Sequence, residues 1–165
     1  MNRRLFLTLI PVTLAAGCGF QLRRMEGIPF ASLYIEAAHG SAVAQRVRTM
    51  LNALKYTGLT TEASEAEAVL KISEEERKKT ILSLSGAGRV TENRLSLHLV
   101  YSVSGRGGRI LAAPETIDLI SDMSYDDSEL LAKDAEEQLL YRDINSSAAL
   151  RIVRRLQALK PGNGS

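Results

Sequence analysis

The sequence of 165 residues is poor in the side chains on which most catalytic and metal sites depend. It has one cysteine, two histidines and no tryptophan. A single cysteine excludes an intramolecular disulfide and a cysteine-rich metal site. The histidines, His39 and His98, are far apart in the chain, and no serine lies in a nucleophile-elbow pattern. We therefore expect a non-enzymatic protein with no catalytic residues, no bound metal and no cofactor.

A hydrophobic run long enough to cross a bilayer is also missing. The longest apolar segment, Leu5–Leu14, has about half of the roughly 20 residues that a spanning helix needs, and Pro11 interrupts it. Arg3 and Arg4 precede this segment and small residues follow it. This order of positive charge, apolar segment and small residues is typical of a secretory signal.

The only cysteine, Cys18, directly follows that signal. The segment Leu14-Ala15-Ala16-Gly17-Cys18 looks like a lipobox, in which the thiol is acylated before cleavage. We expect residues 1–17 to be removed and Cys18 to carry an N-acyl diglyceride, because several acyl chains together give stable anchoring. Gly19, where an aspartate would favour the inner membrane, indicates the periplasmic side of the outer membrane. The general and twin-arginine export routes both remain open.

Charge of one sign is scarce once the signal is removed. The full chain has a formal charge of +2, and Arg3 and Arg4 account for all of it. A nucleic-acid-binding protein normally keeps a basic excess. The sequence therefore predicts no nucleic-acid partner.

The spacing of apolar residues predicts the order strand, helix, three strands, helix. The predicted strands lie at 33–35, 68–84, 95–103 and 109–120, and the helices at about 41–56 and 129–159. Consecutive strands placed between helices favour an α+β fold, with a four-stranded, mostly antiparallel or mixed sheet and two helices on one face. We expect one domain over residues 18–159 and a disordered tail at 160–165.

Several local features refine this interpretation. Gly58 has the position of a helix stop, Pro114 indicates an edge strand or a bulge, and Asn145-Ser146-Ser147 predicts a bend or fraying in the last helix. The apolar residues of that helix form two lines: Leu131, Ala135 and Leu139, then Ile144, Ala148, Ile152 and Leu156.

The segment from Glu74 to Lys79 is the densest block of charge, with three glutamates followed by three basic residues. One interpretation is a solvated strand edge, whose charges prevent pairing with another strand. The other is that Arg77, Lys78 and Lys79 bind the phosphates of an anionic partner.

Three segments of the sequence resemble the LptE family, the lipoprotein component of the outer-membrane lipopolysaccharide translocon. They are Cys18-Gly19-Phe20-Gln21-Leu22-Arg23, Ala132-Lys133-Asp134-Ala135-Glu136-Glu137-Gln138, and the end of the same helix from Ala148 to Leu156. The resemblance implies two helices on a four-stranded sheet, insertion as a plug into an LptD-type β-barrel, and assistance in assembling that barrel.

The resemblance also implies lipopolysaccharide binding through basic residues. Lys133 matches the family lysine at the helix start. The family's other basic position falls at the hairpin before the third strand, where this sequence has Gly86 with Arg89 nearby. The predicted lipopolysaccharide-binding residues are Lys133, Arg89 and Arg106, because cationic hairpin tips suit the phosphates of lipid A.

Two other classes of protein remain as alternatives. An auxiliary lipoprotein of a phospholipid or ABC-type transport system would carry lipid in a closed apolar cavity. A periplasmic enzyme is disfavoured by the missing catalytic residues.

Overall fold

The computed structural model describes residues 27–160, apart from the side chain of Asp127. The predicted signal at 1–17, the lipidation site at Cys18 and residues 161–165 of the predicted tail lie outside the described residues.

The described chain forms one mixed sheet and two helices, which confirms the predicted α+β class and element order. The elements are β1 (Leu33–Glu36), α1 (Ala42–Ala53), β2 (Ala68–Leu84), β3 (Val90–Gly105), β4 (Ile110–Ser124) and α2 (Leu130–Ala158). The strands lie side by side in chain order. β1 is parallel to β2, and β2, β3 and β4 are antiparallel to one another.

β3 provides the central row of the hydrophobic core. Its side chains alternate between buried and half-buried over almost its whole length, because successive residues of a strand point to opposite faces. The buried row and the helix residues that cover it belong to one apolar cluster. It includes Leu95, Leu97, Leu99, Tyr101 and Val103 of β3, Val43, Val47 and Leu51 of α1, and Ile144, Ala148, Ile152 and Leu156 of α2. Both helices therefore lie on the same face of the sheet.

A bulge at Ser73 changes which residues of β2 face the helices. Ile72 pairs with Tyr101 but Glu74 pairs with Val100, so β2 has one extra residue at this point. Before the bulge, Ala68, Leu70 and Ile72 face the core. After it, the odd-numbered residues face the helices, and these are charged as far as Lys79.

Pro114 lies at an irregularity of an edge strand, as predicted. β4 is an edge strand, and its pairing shifts between Tyr101–Glu115 and Val103–Ala112, which leaves one extra residue on β4 beside Pro114. Proline has no backbone N–H to donate, and a bulge at an edge removes the need for one.

The interpretation of Gly58 as a helix stop is wrong. α1 ends at Ala53, and Lys55 adopts the left-handed conformation with φ of 58°. Gly58 instead lies against the segment before β1, where a Cβ atom would come within 2.2 Å of the Ala31 carbonyl oxygen. Its carbonyl accepts a hydrogen bond from the Leu33 N–H at 2.8 Å. Close packing therefore requires the glycine.

α2 runs unbroken through Asn145-Ser146-Ser147, so the predicted fraying is wrong, and the predicted bend stays a prediction. The Ser146 hydroxyl donates to the Arg142 carbonyl at 2.6 Å and accepts from Arg46 Nε at 2.8 Å, which links α2 to α1. Neither helix of the described chain is long and apolar enough to cross a membrane.

The two apolar lines of α2 have different environments. Ile144, Ala148, Ile152 and Leu156 are buried, whereas Leu131, Ala135 and Leu139 are exposed, Leu131 at 86%. The first part of α2 therefore directs an apolar line to solvent.

We predict that this difference appears in stability. Leu156→Ala should lower the free energy of unfolding by about 3 kcal/mol, because it leaves a cavity in a closed core. Leu131→Ala, the matched control on the same helix, should change it by less than about 0.5 kcal/mol. Urea unfolding followed by circular dichroism measures both. Equal losses would contradict the assignment of the buried face.

Candidate functional site

Two of the three predicted lipopolysaccharide-binding residues lie at one end of the sheet. Arg89 closes the turn between β2 and β3, and Lys133 is in the first turn of α2, beside the end of β4. We call this the distal end. Arg106 lies in the turn between β3 and β4, at the proximal end. β3 has 16 residues, and at about 3.3 Å per residue the two ends are about 50 Å apart. The structure therefore does not bring Arg106 into one site with the other two.

Lys133 is largely covered. Its side chain is 13% exposed, and its ammonium group donates to Ser124 Oγ at 3.1 Å and lies 2.9 Å from Glu136 Oε2. The hydrogen bond to Ser124 ties the start of α2 to the end of β4. An ammonium group has three donors, so one remains for a ligand.

Arg89 is exposed and forms no salt bridge within the described part of the chain. Its backbone carbonyl accepts from the Ser85 N–H at 2.8 Å, which closes the turn. The backbone N–H and hydroxyl of Ser128 hold the pKa of Asp126 below its usual range, and the charges of Lys133 and Arg89 act in the same direction. Both cations therefore lie close to one carboxylate.

A third cation, Lys79, joins β2 to α2 at the same end. Its ammonium group lies 2.6 Å from Glu137 Oε2 and 5.7 Å from the centre of the Tyr125 ring. The hydrogen bond to Glu137 is the main reason that the pKa of Lys79 is raised. The sequence does not signal the part played by Tyr125, because this residue follows β4 and comes beside Lys79 only when β2, β3 and β4 are paired.

Closer to the start of β2, two more charged residues contact the helices. Arg77 lies 5.5 Å from the ring centre of Tyr141 on α2. The Glu75 carboxylate accepts from the backbone N–H of Ala42 at 3.2 Å and from the Ser41 hydroxyl, at the start of α1. An anionic group at a helix N-terminus satisfies free N–H groups and favours the helix dipole.

These contacts bear on both interpretations of the charged block. β1 pairs only with residues 68–71 of β2, so the rest of that edge of β2 has no strand beside it in the described chain. The interpretation as a solvated edge requires this. Arg77 and Lys79 are held by α2, so they serve the fold. Lys78 points to the opposite face and is exposed. Its phosphate binding stays a prediction.

Exposed aliphatic side chains lie at the same end of the sheet as these cations. Leu84, at 58% exposure, precedes the turn, and the others are close to it in β2 or at the start of α2. They are Ile81, Leu82, Leu130 and Leu131. A group of exposed apolar side chains beside charged ones marks a binding surface more often than a chance feature.

The sheet face without helices is polar. Arg94 and Asp122 form a two-pronged ion pair across β3 and β4, at 2.7 and 2.8 Å. His98 Nδ1 lies 2.7 Å from Asp118 Oδ1, and its Nε2 lies 3.7 Å from Glu74 Oε2. His39 is in the loop before α1, and no cluster suited to a metal ion is found among residues 27–160.

Solved structures that share this architecture include bacterial lipoproteins. A solution structure of an uncharacterized lipoprotein B from Nitrosomonas europaea has a TM-score of 0.73 and 31% identity, over 86% of this chain and 92% of that one. A minor lipoprotein from Acinetobacter baumannii, at 22% identity, shares the fold, with a TM-score of 0.63 over 79% of this chain and 94% of that one.

The family follows from the sequence match. The LptE lipopolysaccharide-assembly family matches residues 30–156, so the chain belongs to that family and the stated resemblance is confirmed. An LPS-assembly lipoprotein LptE from Photorhabdus laumondii is 27% identical over 162 aligned residues, which cover 94% of this chain and 87% of that protein.

The geometry around His98 leads to a prediction about pH. The hydrogen bond with Asp118, aided by the charges of Glu74 and Glu76, raises the pKa of His98 above its ordinary 6.5. The pair of protonated His98 with Asp118 therefore stabilises the folded state fully below pH 6.5, where His98 is also protonated in the unfolded chain. This stabilisation is lost as the pH rises through the pKa of His98 in the folded protein. Titration of the imidazole by NMR should show the raised pKa, and Asp118→Asn should bring it back towards 6.5. An unchanged pKa in that variant would contradict the pairing.

Proposed function

We propose that this protein is a non-catalytic outer-membrane lipoprotein of lipopolysaccharide assembly, held through lipid on Cys18, whose distal end binds lipopolysaccharide. We further propose that it occupies an LptD-type β-barrel and assists the assembly of that barrel. Membership of the LptE family supports the general role. The composition of the distal end supports the ligand.

The observation that best supports the proposal is that cations and exposed aliphatic side chains both lie at the distal end. Lipid A presents phosphates beside acyl chains, so a matching surface needs both kinds of group. Arg89 and Lys133 supply positive charge, and Ile81, Leu84 and Leu131 supply apolar surface. The nearby carboxylates Glu136 and Glu137 are paired with lysines, which limits their repulsion of an anionic ligand.

The two cations have unequal roles in this proposal. The Arg89 guanidinium is exposed, and a planar guanidinium binds phosphate oxygens in pairs. Lys133 offers one remaining donor from a covered position. Arg89 is therefore the main phosphate contact and Lys133 the supporting one.

The open face of the sheet supports the proposal of a barrel partner. The lumen of an outer-membrane barrel is polar. The open face carries Arg94, Asp122, His98 and Asp118, paired across the strands, so it keeps its charges balanced in contact with such a lumen.

A lipid carrier of a phospholipid transport system is the alternative. That role needs a closed apolar cavity for acyl chains. The groove beside α1, of about 370 Å³, is instead open and lined by the polar residues His39, Ser41, Glu75 and Arg77. The row of β3 that faces the helices is closed by packing. These observations favour binding at the surface.

Lipopolysaccharide binding tests the distal end. Arg89→Gln should weaken binding about ten-fold, because one charge-assisted contact is lost, and Lys133→Gln should weaken it less. Binding is measured with purified lipopolysaccharide by calorimetry, with circular dichroism to confirm folding. Arg142→Gln, an exposed arginine further along α2, is the charge-matched control. An equal loss with Arg106→Gln would contradict a site at one end.

Affinity purification from solubilised outer membrane tests the barrel partner. We expect a stoichiometric protein of large β-barrel size, and we expect depletion of this lipoprotein to leave that barrel misassembled. Recovery of the protein alone, with normal barrel assembly after depletion, would contradict the proposal.

A further inference from the structure

The proximal end of the sheet is the end from which the N-terminal segment leaves. The Ala31 N–H donates to Glu67 Oε2 at 2.6 Å, one residue before β2 begins. Gly105 pairs with Ala68, so Arg106 lies level with Glu67. The chain upstream of Ala31 therefore starts at the same end as the β3–β4 turn.

The length of that upstream segment limits where an anchor on Cys18 can be. Thirteen residues separate Cys18 from Ala31, and they span at most about 45 Å when fully extended. The last residue before the distal turn, Leu84, lies 17 residues beyond Glu67, and the bulges of β2 make this path about 50 Å long. The proximal end is therefore within reach of a membrane that holds Cys18, whereas the distal turn of an upright sheet is not.

The β3–β4 turn presents a cation and an exposed aliphatic side chain at this end. Arg106 is exposed and forms no salt bridge among residues 27–160. Ile110, at the start of β4, is 71% exposed. The turn is closed by the Gly105 N–H, which donates to the Arg109 carbonyl at 2.7 Å, and Gly107 and Gly108 have positive φ. It therefore holds Arg106 and Ile110 at a tip in which Gly107 and Gly108 carry no side chains.

The charges of the proximal end are unevenly distributed. Glu62 and Glu65 lie beside β1, where the Glu65 carbonyl accepts from the Ser32 hydroxyl. Arg106 and Ile110 lie at the β3–β4 side, across the width of the sheet. An anionic surface attracts the side with the β3–β4 turn and repels the side with β1. The molecule therefore tilts its β3–β4 corner towards such a surface.

We infer that the β3–β4 turn is a second membrane contact, in which Arg106 binds the headgroup phosphates of anionic phospholipid and Ile110 enters the interface. Basic residues near an anionic surface and buried apolar area both add to membrane binding. This inference rests on the proposed anchor at Cys18. It assigns Arg106 to the membrane and leaves lipopolysaccharide to the distal end.

Site-specific quenching tests this contact in the lipidated full-length protein. Lipidation uses the only native cysteine, so Ile110→Cys introduces one free thiol for a fluorophore. Leu84→Cys, also an exposed aliphatic residue but at the distal end, is the matched control. The protein is reconstituted in phosphatidylethanolamine vesicles that contain brominated lipid, with or without phosphatidylglycerol.

We expect quenching at position 110, stronger with phosphatidylglycerol, and little at position 84. Arg106→Gln in the Ile110→Cys protein should lower the membrane-contacting fraction about five-fold. Arg142→Gln, an exposed arginine in the middle of α2, should not. Equal quenching at both positions, or no effect of phosphatidylglycerol, would overturn the inference alone. Failure of the protein to insert into any vesicle would overturn the anchor, and the inference with it.

Discussion

The one-residue bulge at Ser73 is the constraint on which the arrangement of charges depends. Without it, Glu74, Glu76 and Lys78 would face the helices. With it, Glu75 reaches the start of α1, Arg77 reaches Tyr141 and Lys79 reaches Glu137. Each of these contacts gives a charged or polar group of α1 or α2 a partner on the sheet. A bulge that changes the direction of side chains beside a binding surface is a known use of this irregularity.

The contacts between the helices and the sheet also differ on the two sides of this bulge. Beside the first six residues of β2, apolar side chains from both helices close the core. Beyond the bulge, the first half of α2 is held by an ion pair from Lys79, an aromatic contact from Arg77 and a hydrogen bond from Lys133 to Ser124. The exposed line of Leu131, Ala135 and Leu139 belongs to that half. The part of the molecule that carries the proposed ligand site is thus the part with the more polar attachment.

Much of the fold could be predicted because its strongest signals are local. The alternation along β3, the length of α2 and the irregularity at Pro114 each depend on neighbours in the chain. The errors concern contacts between distant segments. Gly58 is required by Ala31, and Arg106 was grouped with Arg89 although β3 separates them. The pairing of Lys79 with Tyr125 depends on the register shift at Ser73, which leaves no mark in the composition.

The order of elements along the chain has a consequence for folding. β2, β3 and β4 are joined by short turns, so the meander is built from contacts between segments that are close in sequence. Such contacts form quickly, because little loop-closure entropy is lost. α2 comes last, and the apolar residues of its second half belong to the same core cluster as the buried row of β3. A chain that folds from its N-terminus therefore leaves part of the row along β3 exposed until its final thirty or so residues arrive.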